Sequence, residues 1–350
     1  MKVGFVINGL NTELADYTTT HLAMTAVNRG HEAWYIPLSD FSYDVDDQVH
    51  AWARRPPSKR YRSAGRFLED IRSGQSRAER VCVDEFDVLM LRNDPARDLQ
   101  ARPWARLAGM NFGRLAARNG VIVVNDPDGL NHAVNKMYLQ VFPKAVRPRT
   151  LISRNREDIK AFIGEEGGTA VIKPLAGSGG RNVFLVLPEE RANLNQMIDA
   201  VLTEGYVIAQ EYLPEAEMGD TRLFLMNGKM LEVGGRVAAM HRVNPSGDMR
   251  SNLTAGGRLR PAELTDAMID IVDAVRPRLV SDGMFMVGLD IVGDKLMEIN
   301  VFSPGGILGS GQLAGVNFFP EIIAALERKV EFKRSGKGRL TNAELAAQVG

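Results

Sequence analysis

Lys173-Pro-Leu-Ala-Gly-Ser-Gly-Gly180 places a lysine at the end of one apolar run and glycines 177, 179 and 180 ahead of the next. A fixed positive charge beside unobstructed backbone N–H groups suits an anion, phosphate above all. The lysine precedes the glycines, so this is not the usual P-loop. A strand rather than a helix follows, so it is not a dinucleotide fingerprint. Taken alone, a glycine-rich hairpin is structural more often than functional. A second group lies in GLDIVGDKLMEIN, where Asp290, Glu298 and Asn300 offer only oxygen donors. Glu298 and Asn300 are two apart and share one face of a strand, and Asp290 joins them across a hairpin. Acids emerging from apolar strands are costly unless paired or bound to metal. A set without Cys or His suits Mg²⁺ bridging to phosphates, and a salt-bridged pair at a sheet edge is the alternative. Arg222, Arg236, Arg242, Arg250 and Arg258 form a third group, with Asn252 among them. Guanidinium groups match carboxylates and phosphates by bidentate bonding, although a solvated face explains any one of them. The lysine–glycine loop and the acid cluster together point to ATP and phosphoryl transfer. No Ser–His–Asp or Cys–His arrangement competes, and His132 and His241 read as surface or hydrogen-bonding residues.

These groups need elements to hold them. KVGFVI (2–7) reads as a buried strand, Thr18 to Arg29 as a helix ended by Gly30, and HEAWYIP as the next strand. Strand–helix–strand order predicts a parallel α/β unit. FDVLMLRND (86–94) and VIVVNDP (121–127) extend it, with a helix from Trp104 to Asn119 between them. Ligands in such sheets bind beyond the carboxyl ends of the strands, where Asn8, Arg92 and Asn125 fall. Residues 39–79 are polar and irregular, with room for a hairpin and a loop, and their arginines read as a solvated face. NHAVNKMYLQVF reads as a helix. AVIKPL (170–175), NVFLVL (182–187), YVIAQEYL (206–213), DTRLFLMNG (220–228) and KMLEVGGRVA (229–238) read as strands. Residues 264–280 read as a helix, and Gly293–Asp294 turns a hairpin between FMVGLDIVG and DKLMEINVF. A last helix covers Phe319 to Arg328, and the tail beyond it holds at most a short helix. The expected class is α/β followed by mixed α+β.

Composition narrows the function. A chain of 350 residues, 45% hydrophobic, suits two or three packed domains. Lys+Arg and Asp+Glu both number 43, so the formal net charge is zero, unlike that of a general polyelectrolyte binder; nucleic acid is not an expected partner. Cys82 is the single cysteine, which rules out an intramolecular disulfide and a cysteine-rich metal site. Its flanks read as a buried strand. The first residues lack the pattern of a signal peptide, and no apolar run approaches the roughly 18–20 residues that cross a membrane. The expectation is a cytoplasmic enzyme with no membrane partner.

The motifs together resemble the ATP-grasp superfamily and, within it, the bacterial glutathione synthetase family. VVNDPDGLNHAVNKMYLQVF is similar to the segment carrying a first ATP lysine, Lys136, and VIKPLAGSGG to the one carrying Lys173 and a phosphate lid that includes Gly177, Ser178, Gly179 and Gly180. AQEYLPEAEMGDTRLFLMNG looks like the adenine hinge, with Glu211, Tyr212 and Leu213 at the base and Asp220 and Arg222 nearer the phosphates. RVNPSGDMRSNLTAGG is the most specific match, with Arg242, Arg250 and Asn252 for substrate. VGLDIVGDKLMEINVFSP matches the metal strands, with Asp290, Glu298 and Asn300 as ligands and Ser303 just beyond. Arg92 stands where a family arginine contacts the acid. The resemblance covers about residues 1–330. It implies an ATP-grasp fold: a Rossmann-like substrate domain (1–125), a central ATP-grasp subdomain with the lid (126–205), a C-terminal subdomain with the metal site (206–330) and a tail (331–350). It also implies ATP, and Mg²⁺ or Mn²⁺ in its place, used to join γ-glutamylcysteine to glycine through an acyl phosphate in glutathione biosynthesis. Lys173, Arg222 and Arg250 would be the catalytic groups. The partners would be a small or short-peptide acid and an amino-acid amine, with a dimer or tetramer as the assembly. One segment departs from the family. After Ser303-Pro304 the family commonly continues with Thr-Cys, whereas this chain has Gly305-Gly306-Ile307-Leu308-Gly309-Ser310-Gly311-Gln312. Those glycines suggest a looser or differently shaped amine pocket, which leaves open a related ligase with other substrates. A non-catalytic nucleotide binder is the remaining class.

Overall fold

A computed structural model describes residues 1–98, 101–177, 182–243, 258–336 and 340–349. Strands β1 (Lys2–Ile7), β2 (Glu32–Pro37), β3 (Val88–Leu91) and β4 (Ile122–Val124) form a parallel sheet in the order β2-β1-β3-β4. Alternate side chains enter opposite layers. Val3, Phe5 and Ile7 pack with Leu22 and Ala26 of helix α1 (Thr18–Asn28), whereas Val6 shares a core with Leu89, Leu91 and Met110. Parallel strands covered on both faces need this near-continuous apolar run. Gly30 ends α1 with a φ of +87°, a conformation that favours glycine. The helix expected from Trp104 starts later: Pro103–Arg106 is a 3₁₀ turn, and helix α2 is Ala108–Arg118.

The segment 39–79 does form a hairpin, Phe41–Tyr43 with Val49–Ala53, and Glu79–Cys82 at its end adds a third antiparallel strand. Its helix Ala64–Arg72 is capped by the Ser63 hydroxyl, which accepts from Arg66 N. Cys82 closes the last strand half-buried, not buried as expected, with its thiol 3.2 Å from Gln48 Oε1.

Strands β5 (Thr150–Ser153), β6 (Ala170–Pro174), β7 (Phe184–Val186) and β8 (Val207–Glu211) form a second, antiparallel sheet in the order β7-β6-β8-β5. Ile159, Ile163, Ile172, Ile198, Val207 and Ala209 give it a core of its own. The third sheet runs β11-β10-β9-β12-β13, with β9 (Asp220–Met226), β10 (Ala239–Val243), β11 (Arg258–Arg260), β12 (Met286–Val292) and β13 (Lys295–Asn300). The Gly293 turn forms where expected, at φ +55°. Helix α3 (Asp266–Ser281) packs its Ile271, Val275 and Leu279 into the same core as Leu289 and Leu296.

Two expected elements are interrupted. NHAVNKMYLQVF is not one helix: Pro127–His132 is helical, and Lys136–Val141 forms a 3₁₀ turn. The Asn135 side chain accepts from Met137 N, and Lys136 N donates to Leu175 O. Both bonds draw the backbone out of an α-helical path. KMLEVGGRVA breaks into strand pieces 229–230, 232–233 and 236–237, because Gly234 and Gly235 both take positive φ and turn the chain back. A Gly-Gly pair between apolar runs is a hairpin signal.

The chain after residue 306 folds back over the first sheet. Helix α4 (Ile307–Ala314) leads to α5 (Phe319–Arg334), which is longer than expected and packs beside α1. Arg29 donates to Glu327 at 2.9 and 2.6 Å, and Arg334 to Asp87 at 2.7 Å. The tail is part of the structure. Helix α6 (Asn342–Gln348) begins in a capping box between Thr341 and Glu344. Asn342 then completes the outer edge of β4, accepting from Val123 N at 2.8 Å and donating to Val123 O at 2.9 Å and Asp126 Oδ2 at 2.8 Å. Replacing Asn342 with Ala leaves a buried strand N–H without its acceptor. The expected loss is about 1–3 kcal/mol, read as a lower urea midpoint. An unchanged midpoint would show that the edge does not need the tail.

Candidate active site

β12 and β13 bring the acids together. Asp290 and Glu298 are direct cross-strand partners, with a register shift just after Asp290. Arg222 on β9 is the partner of Asp290 on the other side. Its Nε and Nη2 donate to the two Asp290 oxygens at 2.7 and 2.6 Å. Arg242 on β10, 3% exposed, reaches Asp290 Oδ2 at 2.9 Å and bonds both oxygens of Asp220, its own cross-strand partner. Asn300 Nδ2 lies 3.3 Å from Asp290 Oδ2. Burial would raise the Asp290 carboxyl, but Arg222 and Arg242 outweigh it and hold the group below the ordinary carboxylate range. Burial likewise works against the Arg242 charge, yet Asp290 and Asp220 hold it above the usual arginine range.

Glu298 opens onto a cleft of about 960 Å³, counting solvent at its mouth. Lys136 Nζ bonds Glu298 Oε1. The cleft walls would raise the Glu298 carboxyl, but the Lys136 ammonium holds it below its usual value. Lys173 enters from β6 and donates to Gln210 Oε1 at 2.9 Å. Enclosure, and then the neighbouring Lys136 charge, push Lys173 down to about 8. Lys136, Lys173, Gly177, Glu298, Asn300 and Ser303 thus line one cleft. Gly177 does so with a φ of +127°.

Other expected residues lie elsewhere. Glu211, Tyr212 and Leu213 do not line the cleft. The Glu211 carboxylate accepts from Arg149 N at 2.7 Å, the Tyr212 hydroxyl donates to Glu217, and Leu213 is buried. On β8 it is Ile208 and Gln210 that face the cleft, while Val207 and Ala209 fill the core of the second sheet. The two-residue period of a strand carried this signal. Asp94, Leu139 and Met297 also line the cleft and were not singled out by the sequence. Arg92, 4% exposed at the end of β3, donates to Thr19 Oγ1 and Pro304 O, both at 3.2 Å. Ser178, Gly179, Gly180, Arg250 and Asn252 lie outside the described residues.

The departing segment is not loose. Gly306 enters α4 at φ +108°, and a Cβ there would stand 2.3 Å from Met240 Cε. One on Gly309 would come within 2.8 Å of Leu259 Cδ1, and one on Gly311 within 2.7 Å of Val316 O. These glycines allow α4 to pack closely against β10 and the chain after it. Close packing accounts for Gly306, Gly309 and Gly311, whereas a Cβ on Gly305 would meet nothing within 4 Å.

Comparison with known proteins agrees with this architecture. The N-terminal domain of prokaryotic glutathione synthetase matches residues 1–131, and the ATP-grasp domain of the same family matches residues 135–313. Glutathione synthetase of Synechococcus elongatus is 35% identical over 341 residues, 94% of this chain and 99% of that protein. That of Gloeobacter violaceus is 35% identical over 351 residues, 97% and 99% of the two chains. Among solved structures, the D-cycloserine synthetase DcsG superposes with a TM-score of 0.63 at 15% identity, covering 92% of this chain and 98% of that one. D-alanine–D-alanine ligase from Bacillus anthracis gives 0.56 at 12%, covering 97% and 100%. The last two share the fold. The chain belongs to the prokaryotic glutathione synthetase family and is an ATP-dependent ligase of the ATP-grasp fold, with a Rossmann-like sheet at its N-terminus.

Proposed function

We propose that this chain is a glutathione synthetase, joining γ-glutamylcysteine to glycine as ATP becomes ADP and phosphate. The convergence of Lys136, Lys173 and Glu298 on one cleft, in a chain of this family, carries the reading. A carboxylate oxygen of the peptide attacks the γ-phosphorus, and ADP leaves. The glycine amine then attacks the acyl carbon, phosphate leaves, and the amine loses a proton. Each step moves negative charge along the phosphates, so positive side chains fixed beforehand lower the barrier. Lys136, Lys173 and Arg222 take that role, and Arg250 would grip a carboxylate at acyl transfer. The apolar wall of Ile208, Leu139 and Met297 suits a nucleobase, and Asp220 and Arg242 hold the arginine–acid network in place. Glu298 and Asn300 line the cleft and fit a Mg²⁺ ion as oxygen donors, Asp290 beside them on the same hairpin would join only by exchanging an arginine contact, and such an ion would neutralise phosphate charge there. Divisions near residues 125, 205 and 330 remain the proposed domain bounds, except that β8 (Val207–Glu211) pairs with β5 and β6 and so moves the second division past residue 211.

The test is phosphate release with Mg²⁺-ATP across a panel of acids and amines, with products weighed by mass spectrometry. Release that needs γ-glutamylcysteine and glycine together supports the reading, and release only with another pair overturns it. Lys173 adds a signature of its own. In the free chain its ammonium gives up its proton near pH 8. Bound phosphate raises that value, so ATP binding takes up a proton above pH 8 and ATP affinity falls as pH rises past it, by up to tenfold per unit. Calorimetry at pH 9 in two buffers of different ionisation enthalpy should show uptake approaching one proton, and much less at pH 7. Equal uptake at both would separate Lys173 from the phosphates.

A further inference from the structure

Lys136 sits on a weak element. The 3₁₀ turn Lys136–Val141 has six residues, more than such turns usually sustain, and its Lys136, Tyr138, Leu139 and Gln140 all line the cleft. A lysine ammonium ends a flexible four-carbon stem, so the place of its charge depends on how firmly the backbone beneath it is held. Tyr138 supplies a hold. It is 3% exposed, its ring meets Phe142 edge-on with centroids 5.2 Å apart, and it shares a core with Leu279 of α3 and Leu296 of β13. Its hydroxyl donates to Asp282 Oδ2 at 2.7 Å. Asp282 caps the carboxyl end of α3 and is buried. It is fixed in turn by its neighbours. Arg278 Nε donates to Oδ2 at 2.7 Å, and His132 Nδ1 lies 3.3 Å from Oδ1. Asp126 N donates to Gly283 O, the next carbonyl, at 3.0 Å, and a Cβ on Gly129 would stand 1.8 Å from Asp282 O. The helix Pro127–His132 thus has a glycine where it presses on the end of α3. Burial first, and then the bond to Asp282, hold the Tyr138 phenol well above its ordinary range, so the hydroxyl keeps its proton throughout the neutral region.

We propose that Asp282, through Tyr138, positions Lys136 opposite Glu298 and so shapes the place that takes the phosphates of ATP. This rests on the role proposed above for Lys136. The turn has two long-range ties. At its start, Lys136 N donates to Leu175 O at 3.1 Å, in the glycine-rich segment after β6. At its middle, the Tyr138 hydroxyl reaches the core of α3 and β13, and β13 carries Glu298. Without the second tie the turn follows the segment after β6 alone, and Lys136 Nζ loses its fixed place beside Glu298 Oε1. Neither Tyr138 nor Asp282 needs to touch a reacting atom. Both are positioning residues, and their effect should pass through Lys136.

The test is the Kd of the full chain for Mg²⁺-ATP, measured by calorimetry without acid or amine, so that it does not depend on which substrates are joined. Lys136→Met should weaken binding about tenfold or more, the scale for losing a bond to a charged group. Tyr138→Phe removes one oxygen, keeps the ring and leaves Asp282 its Arg278 partner. It should weaken binding about fivefold, a coupling usual within one network. Asp282→Ala should match it, whereas Asp282→Asn, whose amide oxygen still accepts from the hydroxyl, should stay within about twofold of wild type. The deciding measurement is Tyr138→Phe in the Lys136→Met background. A residue that acts through Lys136 has nothing left to position there, so the further loss should be under about twofold. An equal loss in both backgrounds overturns the positioning role, because a general loosening of the cleft would act without Lys136. Tyr138→Phe that binds like wild type overturns it too and leaves the role of Lys136 standing, even if an Asp282 variant does not fold. Lys136→Met that binds like wild type overturns both.

Discussion

Lys173→Met lowers kcat with saturating ATP by about 10²- to 10³-fold, the scale for removing one preorganised donor to transition-state charge, and leaves the fold intact. The substitution keeps most of the unbranched stem and removes the charge. Gln210, which accepts from Lys173, also donates to Thr150 Oγ1 at 3.2 Å, so it keeps an anchor. The stability argument has a definite sign. The folded chain holds Lys173 near 8, below its ordinary value of 10.5. The buried charge therefore costs stability below pH 8, and that cost fades as pH rises through 8 towards 10.5. Removing the ammonium should leave the melting temperature at pH 7 unchanged or higher. Turnover within tenfold of wild type would end the role proposed for Lys173. A collapsed melting temperature would mean that the lysine serves the fold instead.

That cleft was partly legible in the sequence, for reasons that differ by residue. The β12–β13 hairpin was readable because two apolar runs flank a Gly-Asp turn, and period-two geometry then fixed the neighbours of Asp290 and Glu298. Lys173 was readable because a charged residue ends an apolar strand. The surroundings of Lys136 were harder. An apolar pattern at helical spacing suggested a helix, but the Asn135 side chain and the long-range bond from Lys136 N to Leu175 O decided the backbone. No local pattern encodes the second of these. At β8 the family resemblance pointed to Glu211, Tyr212 and Leu213 for the base, whereas side-chain alternation places Ile208 and Gln210 along the cleft. The tail was underrated for a similar reason. The Thr341–Glu344 capping box is written in the sequence, but the pairing of Asn342 with Val123 spans 219 residues. In residues 305–312 the glycines suggested a looser or differently shaped pocket, and Met240, Leu259 and Val316 show that three of them serve close packing instead of slack.

Asp290→Ala and Glu298→Ala should both lose most turnover, yet differ sharply in stability. Asp290 is 4% exposed and shared by two arginines. Its removal takes from Arg222 the only carboxylate it bonds among the described residues, while Arg242 keeps Asp220. Breaking a buried pair by deleting one partner costs about 3–5 kcal/mol, because the remaining charge stays desolvated. Glu298 is 41% exposed on its side chain, and its partner Lys136 is 21% exposed. A pair open to water contributes about 0–1 kcal/mol, and Lys136 can be solvated once freed. Urea unfolding should therefore separate two acids that the proposed chemistry treats as equals: a large midpoint drop for Asp290→Ala, and a small one for Glu298→Ala. The pH dependence follows with a definite sign. Asp290 is held below the ordinary carboxylate range, so its stabilisation is fully present above the unfolded value and is lost as pH falls through the folded one. The gap between wild type and Asp290→Ala should be widest near neutral pH and narrow in acid. Equal midpoints for the two variants at pH 7 would mean that Asp290 is not the hub of the arginine network, and that the acids on this hairpin are held in place by the sheet alone.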